Sequence, residues 1–245
     1  MNILEIKGLS KVFELHILGG KKIEALSRID LSIPKGEILG LTGKSGSGKS
    51  SLMKCIYRTY LASSGEIIYQ GSDNRIDLVK ASDHEIIALR KKKITYCSQF
   101  LSVIPRISAL EVVCENLFKN GMDKDLARKK ARDLLETFGL PKELWDAFPV
   151  TFSGGEQQRI NVARSIINRP ELLLIDEPTA SLDLKTKDKV IELIRELRDR
   201  GTTVICISHD EYTLEKLVDR RIELKDGEII QNPINHTLNN LSIHE

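Results

Sequence analysis

Glu37–Ser50 reads EILGLTGKSGSGKS, and the reading of this stretch decides the fold. Its first half, Glu37–Thr42, is a short apolar run bounded by turn residues, the pattern of a strand buried on both faces. Its second half, Gly43-Lys44-Ser45-Gly46-Ser47-Gly48-Lys49-Ser50, fits G-x-x-x-x-G-K-[ST], and a helix is expected from Ser50 to Tyr60, taking in Ser51. Strand, glycine-rich turn and helix in that order form the context in which this motif cradles phosphate. The glycines let successive backbone N–H groups converge on phosphate oxygens at a helix N-terminus. Lys49 is placed for the β- and γ-phosphates, and the Ser50 hydroxyl for Mg²⁺. The bland alternative, a glycine-rich turn that happens to precede a helix, is weakened by the completeness of the pattern and by its flanks.

Outward from this unit, residues 1–35 read as short strands: an alternation at Ile3–Ile6, a turn at Gly19-Gly20, then Leu31–Ile33 ending at Pro34-Lys35-Gly36. Two further strand–helix units follow later in the chain. Glu171–Ile175 is a continuous apolar strand ending at Asp176. Lys185–Arg200 carries Val190, Ile191, Ile194 and Leu197 at helical spacing, Gly201 closes that helix, and Thr202–Ile207 is another buried strand. Alternating buried strands and amphipathic helices predict an α/β fold with a largely parallel sheet. Residues 100–160 differ, with helical segments at Ala109–Lys119 and Lys124–Phe138 broken by Pro105, Pro141 and Pro149. They read as a helical subdomain inserted into a domain spanning 1–232, with 233–245 a polar tail that frays.

Composition narrows the class. The 245 residues are 41% hydrophobic and 29% charged, an ordinary globular balance, and a net charge of +2 implies no nucleic-acid partner. No apolar stretch reaches the ~18–20 residues of a membrane span, so no direct membrane insertion is expected. Glu5 and Lys7 interrupt the apolar residues at the start, unlike a signal peptide. Cys55, Cys97, Cys114 and Cys206 are scattered without metal-ligand spacing and read as reduced, buried thiols of a cytoplasmic protein.

Two more motifs carry chemistry. Leu172-Leu173-Leu174-Ile175-Asp176-Glu177-Pro178 delivers Asp176 to the carboxyl edge of the sheet, where a carboxylate can hold Mg²⁺ directly or through water. Glu177 follows, placed to orient and polarise an attacking water. Taken alone, the pair reads equally as a solvated acidic turn. Thr151-Phe152-Ser153-Gly154-Gly155-Glu156-Gln157-Gln158-Arg159 puts a serine and two glycines just before a helix, a second phosphate-binding geometry in one chain. Two nests per chain make sense if two chains meet head to tail, each capping the nucleotide held by the other.

On these residues the chain resembles the ABC-type ATPases to about residue 230. Ser153-Gly154-Gly155-Glu156 looks like the family signature, with Phe152 and Glu156 where Leu and Gln are more usual. Gln99 matches the Q-loop glutamine, which senses Mg²⁺ and the γ-phosphate. Ser181-Leu182-Asp183 matches the D-loop, His209 the switch histidine that contacts the γ-phosphate, and Phe13 the aromatic that stacks on adenine. Alone, Phe13 reads as a core residue and His209 as a strand-end histidine; their order carries the likeness. The resemblance implies a P-loop NTPase of ABC type: a RecA-like parallel-sheet core, an N-terminal antiparallel β subdomain and an inserted helical subdomain. It further implies ATP hydrolysis with Mg²⁺, in a homodimer or a heterodimer with a related ABC subunit.

Ser98–Val113, SQFLSVIPRISALEVV, is more specific. Together with Ile76–Val79, the basic run Arg90–Lys93 (read by itself as a solvated helix end) and Pro141–Trp145, it resembles the ATP-binding L subunits of the carbon–phosphorus lyase system. That likeness implies other lyase subunits as partners and a supporting role in converting phosphonate and ATP to ribose 1-phosphonate 5-triphosphate. Two alternatives stand beside it: the nucleotide-binding subunit of a lipoprotein- or macrolide-type exporter, and a non-hydrolysing assembly adaptor.

Overall fold

The computed structural model describes residues 1–15, 20–102 and 105–230. Asn2–Leu15 (β1) and Lys21–Pro34 (β2) are antiparallel 14-residue strands paired from Asn2↔Pro34 to Leu15↔Lys21. The expectation of short strands here is corrected. Charged residues such as Lys21, Lys22 and Glu24 lie exposed, so backbone pairing extends the strands where hydrophobic alternation gives no signal. Gly20 turns with φ +80, and Gly19 lies outside the described residues. With Ser64–Gln70 (β4) and Arg75–Asp77 (β5) these strands form an antiparallel sheet ordered β2-β1-β4-β5.

The second sheet is the core. It comprises Ile38–Thr42 (β3), Ile94–Cys97 (β6), Leu172–Asp176 (β7), Thr203–Ile207 (β8), Arg220–Lys225 (β9) and Glu228–Ile230 (β10), ordered β10-β9-β3-β8-β7-β6. Its pairings are parallel except for the β9–β10 hairpin. Alternation along the strands sorts its two faces. Leu39, Leu41, Leu172, Leu174, Ile205 and Ile207 join a cluster that fills the space toward the antiparallel sheet. Ile38, Leu173, Ile175, Val204 and Cys206 join a second cluster with the helices behind. Both faces are covered, which explains the uninterrupted apolar runs.

Lys49–Ile56 (α1) ends earlier than expected, at Tyr57, with Arg58 turning the chain at φ +65. Asp83–Lys92 (α2) precedes β6. Ala109–Lys119 (α3), Lys124–Thr137 (α4), two 3₁₀ turns and Gly154–Ile166 (α5) occupy the expected helical region, and α5 continues under the core sheet. Leu184–Asp199 (α6) and Glu211–Leu217 (α7) complete the chain's helices among the described residues. All four cysteines are free and buried. The polar tail expected at 233–245 lies outside the described residues.

The basic run at the end of α2 is corrected in part. Arg90 lies over the Tyr57 ring at 4.3 Å and donates to the Tyr57 carbonyl at 2.6 and 3.0 Å. Lys93 is paired with Glu171, which also accepts from Tyr69 and Ser72. Only Lys91 and Lys92 fit a solvated helix end.

Candidate active site

Parallel pairing brings four segments to one edge of the core sheet. Leu41 pairs with Ile207, Ile207 with Asp176 and Ile175 with Cys97, so the chain leaves β3, β8, β7 and β6 side by side. The Gly43 turn, His209, Asp176-Glu177 and Gln99 follow directly. They meet in a cavity of about 570 Å³ lined by Ser45–Ser51, Gln99, Asp176, Glu177 and His209, with Ala25, Ala180 and Ile207.

The turn is shaped for close backbone approach. Gly43, Gly46 and Gly48 have φ of +128, +82 and +108, a region L side chains avoid. A Cβ on Gly43 would stand 2.1 Å from the Leu224 carbonyl oxygen, and one on Gly48 2.6 Å from that of Ala25. β9 and β2 thus buttress the turn from behind, and the Gly227 N–H donates to Ser47 O at 3.1 Å. The N-terminus of α1 has Gly48 as its cap and no side-chain cap bond. Its first N–H groups are therefore free of any side-chain partner and face a ligand position. Ser47 Oγ is also buried without a hydrogen-bond partner, a hydroxyl donor in the same turn.

Lys49 is 6% exposed, and its ammonium donates to the carbonyls of Gly43 at 2.6 Å and Lys44 at 2.9 Å. Burial holds the ammonium below its ordinary pKa, and the Glu177 and Asp176 carboxylates pull it back up. Asp176 Oδ2 accepts from Ser50 Oγ and from Tyr96 OH, both at 3.4 Å. Burial raises the Asp176 carboxyl, and those two hydroxyls oppose the shift.

Glu177 is 7% exposed, sits at φ +51, and leaves Oε1 buried with no hydrogen bond. Its backbone is over-determined: its N–H donates to Ile207 O at 2.9 Å, and Gln158 Nε2 donates to its carbonyl at 2.9 Å. That strain is held in place by the neighbours rather than relaxed, as happens at functional positions. Burial raises its carboxyl, with His209 opposing and Asp176 reinforcing. His209 Nε2 stands 3.9 Å from Glu177 Oε1.

This donor set fits a phosphate ligand with a divalent cation. Ser50 Oγ and Asp176 Oδ2 are hard oxygen donors a short step apart, as Mg²⁺ requires. Two carboxylates, Glu177 buried and Asp176 half-buried, are both pushed toward the neutral form by desolvation, a cost that a cation would relieve.

Not every expected residue joins this cavity. Ser153–Glu156 and Asp183 do not line it. Ser153 caps α5, its hydroxyl and N–H both donating to Glu156 Oε2 at 2.8 Å. Ser153 and Gly154 are exposed, and a Cβ on Gly155 would come within 3.0 Å of Ser181 O. Asp183 caps α6 through Thr186. These segments form one outward surface of the same chain. Phe13 lies on β1 with Tyr60 edge-on at 5.1 Å and the Lys11 ammonium 4.7 Å from its ring. Tyr96 and Gln158 also touch Asp176 and Glu177; in the sequence Gln158 stands only as one position of the Thr151–Arg159 run, and Tyr96 has no signal beyond its nearness to Gln99.

Comparison with known proteins gives a consistent picture. The ABC transporter family profile matches residues 26–180. The lipoprotein-releasing system ATP-binding protein LolD of Shewanella oneidensis is 37% identical over 226 residues, covering 92% of this chain and 94% of that protein. The macrolide export ATP-binding/permease protein MacB of Aggregatibacter actinomycetemcomitans is 34% identical, covering 95% of this chain but only 35% of that larger protein. Among solved structures, the dimeric post-hydrolysis state of the ATP-binding cassette MJ0796 bound to ADP and Pi superimposes with a TM-score of 0.84. It is 33% identical and covers 93% of this chain and 97% of that one. These names favour the exporter alternative over the carbon–phosphorus lyase reading.

Proposed function

The chain belongs to the ABC transporter family and is an ATPase, and on that premise we propose that two copies, or one copy and a related subunit, sandwich two Mg·ATP head to tail and drive a separate partner. The carrying observation is the division of the expected site. Lys49, Ser50, Gln99, Asp176, Glu177 and His209 line one cavity, whereas Ser153–Glu156 and Asp183 face outward elsewhere.

In this account Lys49 exchanges two backbone carbonyls for β- and γ-phosphate oxygens, and the N–H groups of Gly46–Ser51 take the remaining phosphate contacts. Phe13 supports adenine. Ser50 and Asp176, with Gln99 beside them, hold Mg²⁺, which neutralises charge on the phosphate oxygens when bound. Glu177 orients the attacking water and takes its proton; burial brings its pKa up toward the range where a base is effective. His209 contacts the γ-phosphate. Ser153, Gly154, Gly155, Glu156 and Asp183 of the second copy close the site, once the Ser153–Glu156 cap opens its N–H groups to phosphate. A non-hydrolysing adaptor is disfavoured by Glu177 and His209 standing together in the cavity.

The partner follows from the relatives. LolD and MacB carry names of lipoprotein release and macrolide export, which supports a membrane-bound exporter subunit, served from the cytoplasmic side. No helix of the described residues is long and apolar enough to cross a membrane. A second reading rests on sequence likeness alone: Ser98–Val113 resembles the corresponding run of the carbon–phosphorus lyase subunits. Glu177→Gln protein, tagged and trapped with ATP, separates the two. Co-purification of an integral membrane subunit supports the exporter reading, and of soluble lyase subunits the second. A chain that stays monomeric with ATP enclosed would contradict the pairing itself.

A further inference from the structure

Gln99 reaches the cavity on a short segment between β6 and the helical region, and the segment's two ends are held by side chains from α5. Asn161 is fully buried (0% exposed) and its Nδ2 donates to the Ser98 carbonyl at 2.5 Å. Its Oδ1 accepts from Arg164 Nη2 at 3.2 Å, and Arg164 Nη1 donates to the Ser102 carbonyl at 3.2 Å. One amide and one guanidinium, bonded to each other, thus grip the backbone on either side of Gln99. Between them the segment makes a local turn, with Ser98 Oγ donating to Phe100 O at 2.8 Å, and Phe100 itself is 76% exposed. Ser98 and Arg164 are the only hydrogen-bond partners of this fully buried asparagine side chain among the described residues. An amide in that position costs desolvation unless both ends are bonded. Here one end bonds the segment that bears Gln99 and the other bonds Arg164, which holds that segment's far end.

We propose that Asn161 and Arg164 are positioning residues for Gln99: the Asn161 amide fixes the entry to the segment, and Arg164 fixes the exit. Arg164 also lines the groove formed by Ile107, Val112 and Phe118, so its guanidinium joins the outer surface to the segment that reaches the nucleotide. The inference rests on the reading that Gln99 belongs to the ATP site. Outer groups that orient a ligand of a metal site are worth about 10–100-fold in affinity or activity. Loss of the clamp is therefore expected near the tenfold end, because Gln99 keeps its own side chain.

The test is a double-mutant cycle on ATP turnover with Asn161→Ala, Gln99→Ala and both together. Arg164→Lys, at a half-buried position and with its charge retained, is the second entry to the clamp should Asn161→Ala fold poorly. The expected result is an about tenfold fall in kcat for Asn161→Ala with nucleotide affinity little changed, and no further fall when it is added to Gln99→Ala. Amide hydrogen exchange at Gln99–Ser102 should quicken in Asn161→Ala and in Arg164→Lys. Additive losses in the double variant, or unchanged exchange in that segment, would overturn the clamp while leaving the ATP site intact. A neutral Gln99→Ala would overturn the placement of Gln99 and the clamp with it.

Discussion

Replacing Glu177 by Gln should make the chain more stable and nearly inactive. The structure gives both signs. Glu177 is 7% exposed, and its Oε1 is buried without a hydrogen bond. An unsatisfied buried polar group costs about 1–3 kcal/mol, and more when charged. A neutral amide of the same shape removes the charge, so a gain of about 1–2 kcal/mol is expected in the nucleotide-free protein. For a domain of this size each kcal/mol moves Tm by about 2–4 °C. Turnover should fall at least ~100-fold, the range for loss of a positioned proton acceptor.

The pH dependence supplies a check. Burial raises the folded pKa of Glu177 above its unfolded value, so the folded chain holds that proton more tightly. Below the unfolded value both states are protonated and the charge costs nothing. The cost appears as pH rises through the unfolded value toward the raised folded one, and stays constant above it. The Tm advantage of Glu177→Gln should therefore be larger at alkaline than at acid pH and vanish toward the ordinary carboxylate value of about pH 4. Thermal unfolding in chelator without nucleotide, paired with phosphate release, measures both. A variant no more stable than the parent at pH 8 would show that the buried Glu177 charge costs nothing, and one releasing phosphate within a few-fold of the parent rate would remove Glu177 from the chemistry.

Lys49→Ala removes a buried ammonium that now bonds two carbonyls and is to bond phosphate oxygens. Charged hydrogen bonds are worth about 1.5–3 kcal/mol each, so ATP affinity in a calorimetric titration should fall at least about tenfold. Gly43→Ala drives a Cβ to 2.1 Å from Leu224 O at φ +128, and should lower stability by about 2 kcal/mol or more in chemical unfolding. Gly46→Ala has a similar sign of φ but nothing within 4 Å of its Cβ, so about 1–2 kcal/mol of backbone strain is the whole cost. Equal losses for the two glycines would show that Leu224 does not buttress the turn.

Local chemistry made the nucleotide cavity legible in the sequence. The Gly43–Ser50 turn and the Asp176-Glu177 pair are each contiguous and each follows an apolar strand; the pair, which alone reads equally as a solvated acidic turn, takes its meaning from the turn upstream. Gln99 and His209 were legible only by their place in a family order, because a single glutamine or histidine carries no pattern. What stayed hidden depends on pairing between distant segments. The length of β1 and β2 comes from their mutual ladder, and Lys21–Glu24 shows no alternation that would announce it. The hydroxyl of Tyr96 reaches Asp176 across 80 positions, and the Asn161 amide reaches Ser98 across 63. Arg90 and Lys93 read as solvent-facing because their partners, the Tyr57 carbonyl and Glu171, lie in other elements.

The measurement that bears most directly on the shared site is complementation by mixing. Lys49→Ala and Ser153→Arg chains are each expected to be inactive alone. In a head-to-tail pair of the two, one site takes both defects. The other combines an intact Lys49 with an intact Ser153 and should recover ATP hydrolysis on mixing. Activity that stays absent in the mixture, or a Ser153→Arg chain that hydrolyses ATP at the parent rate by itself, would contradict the account.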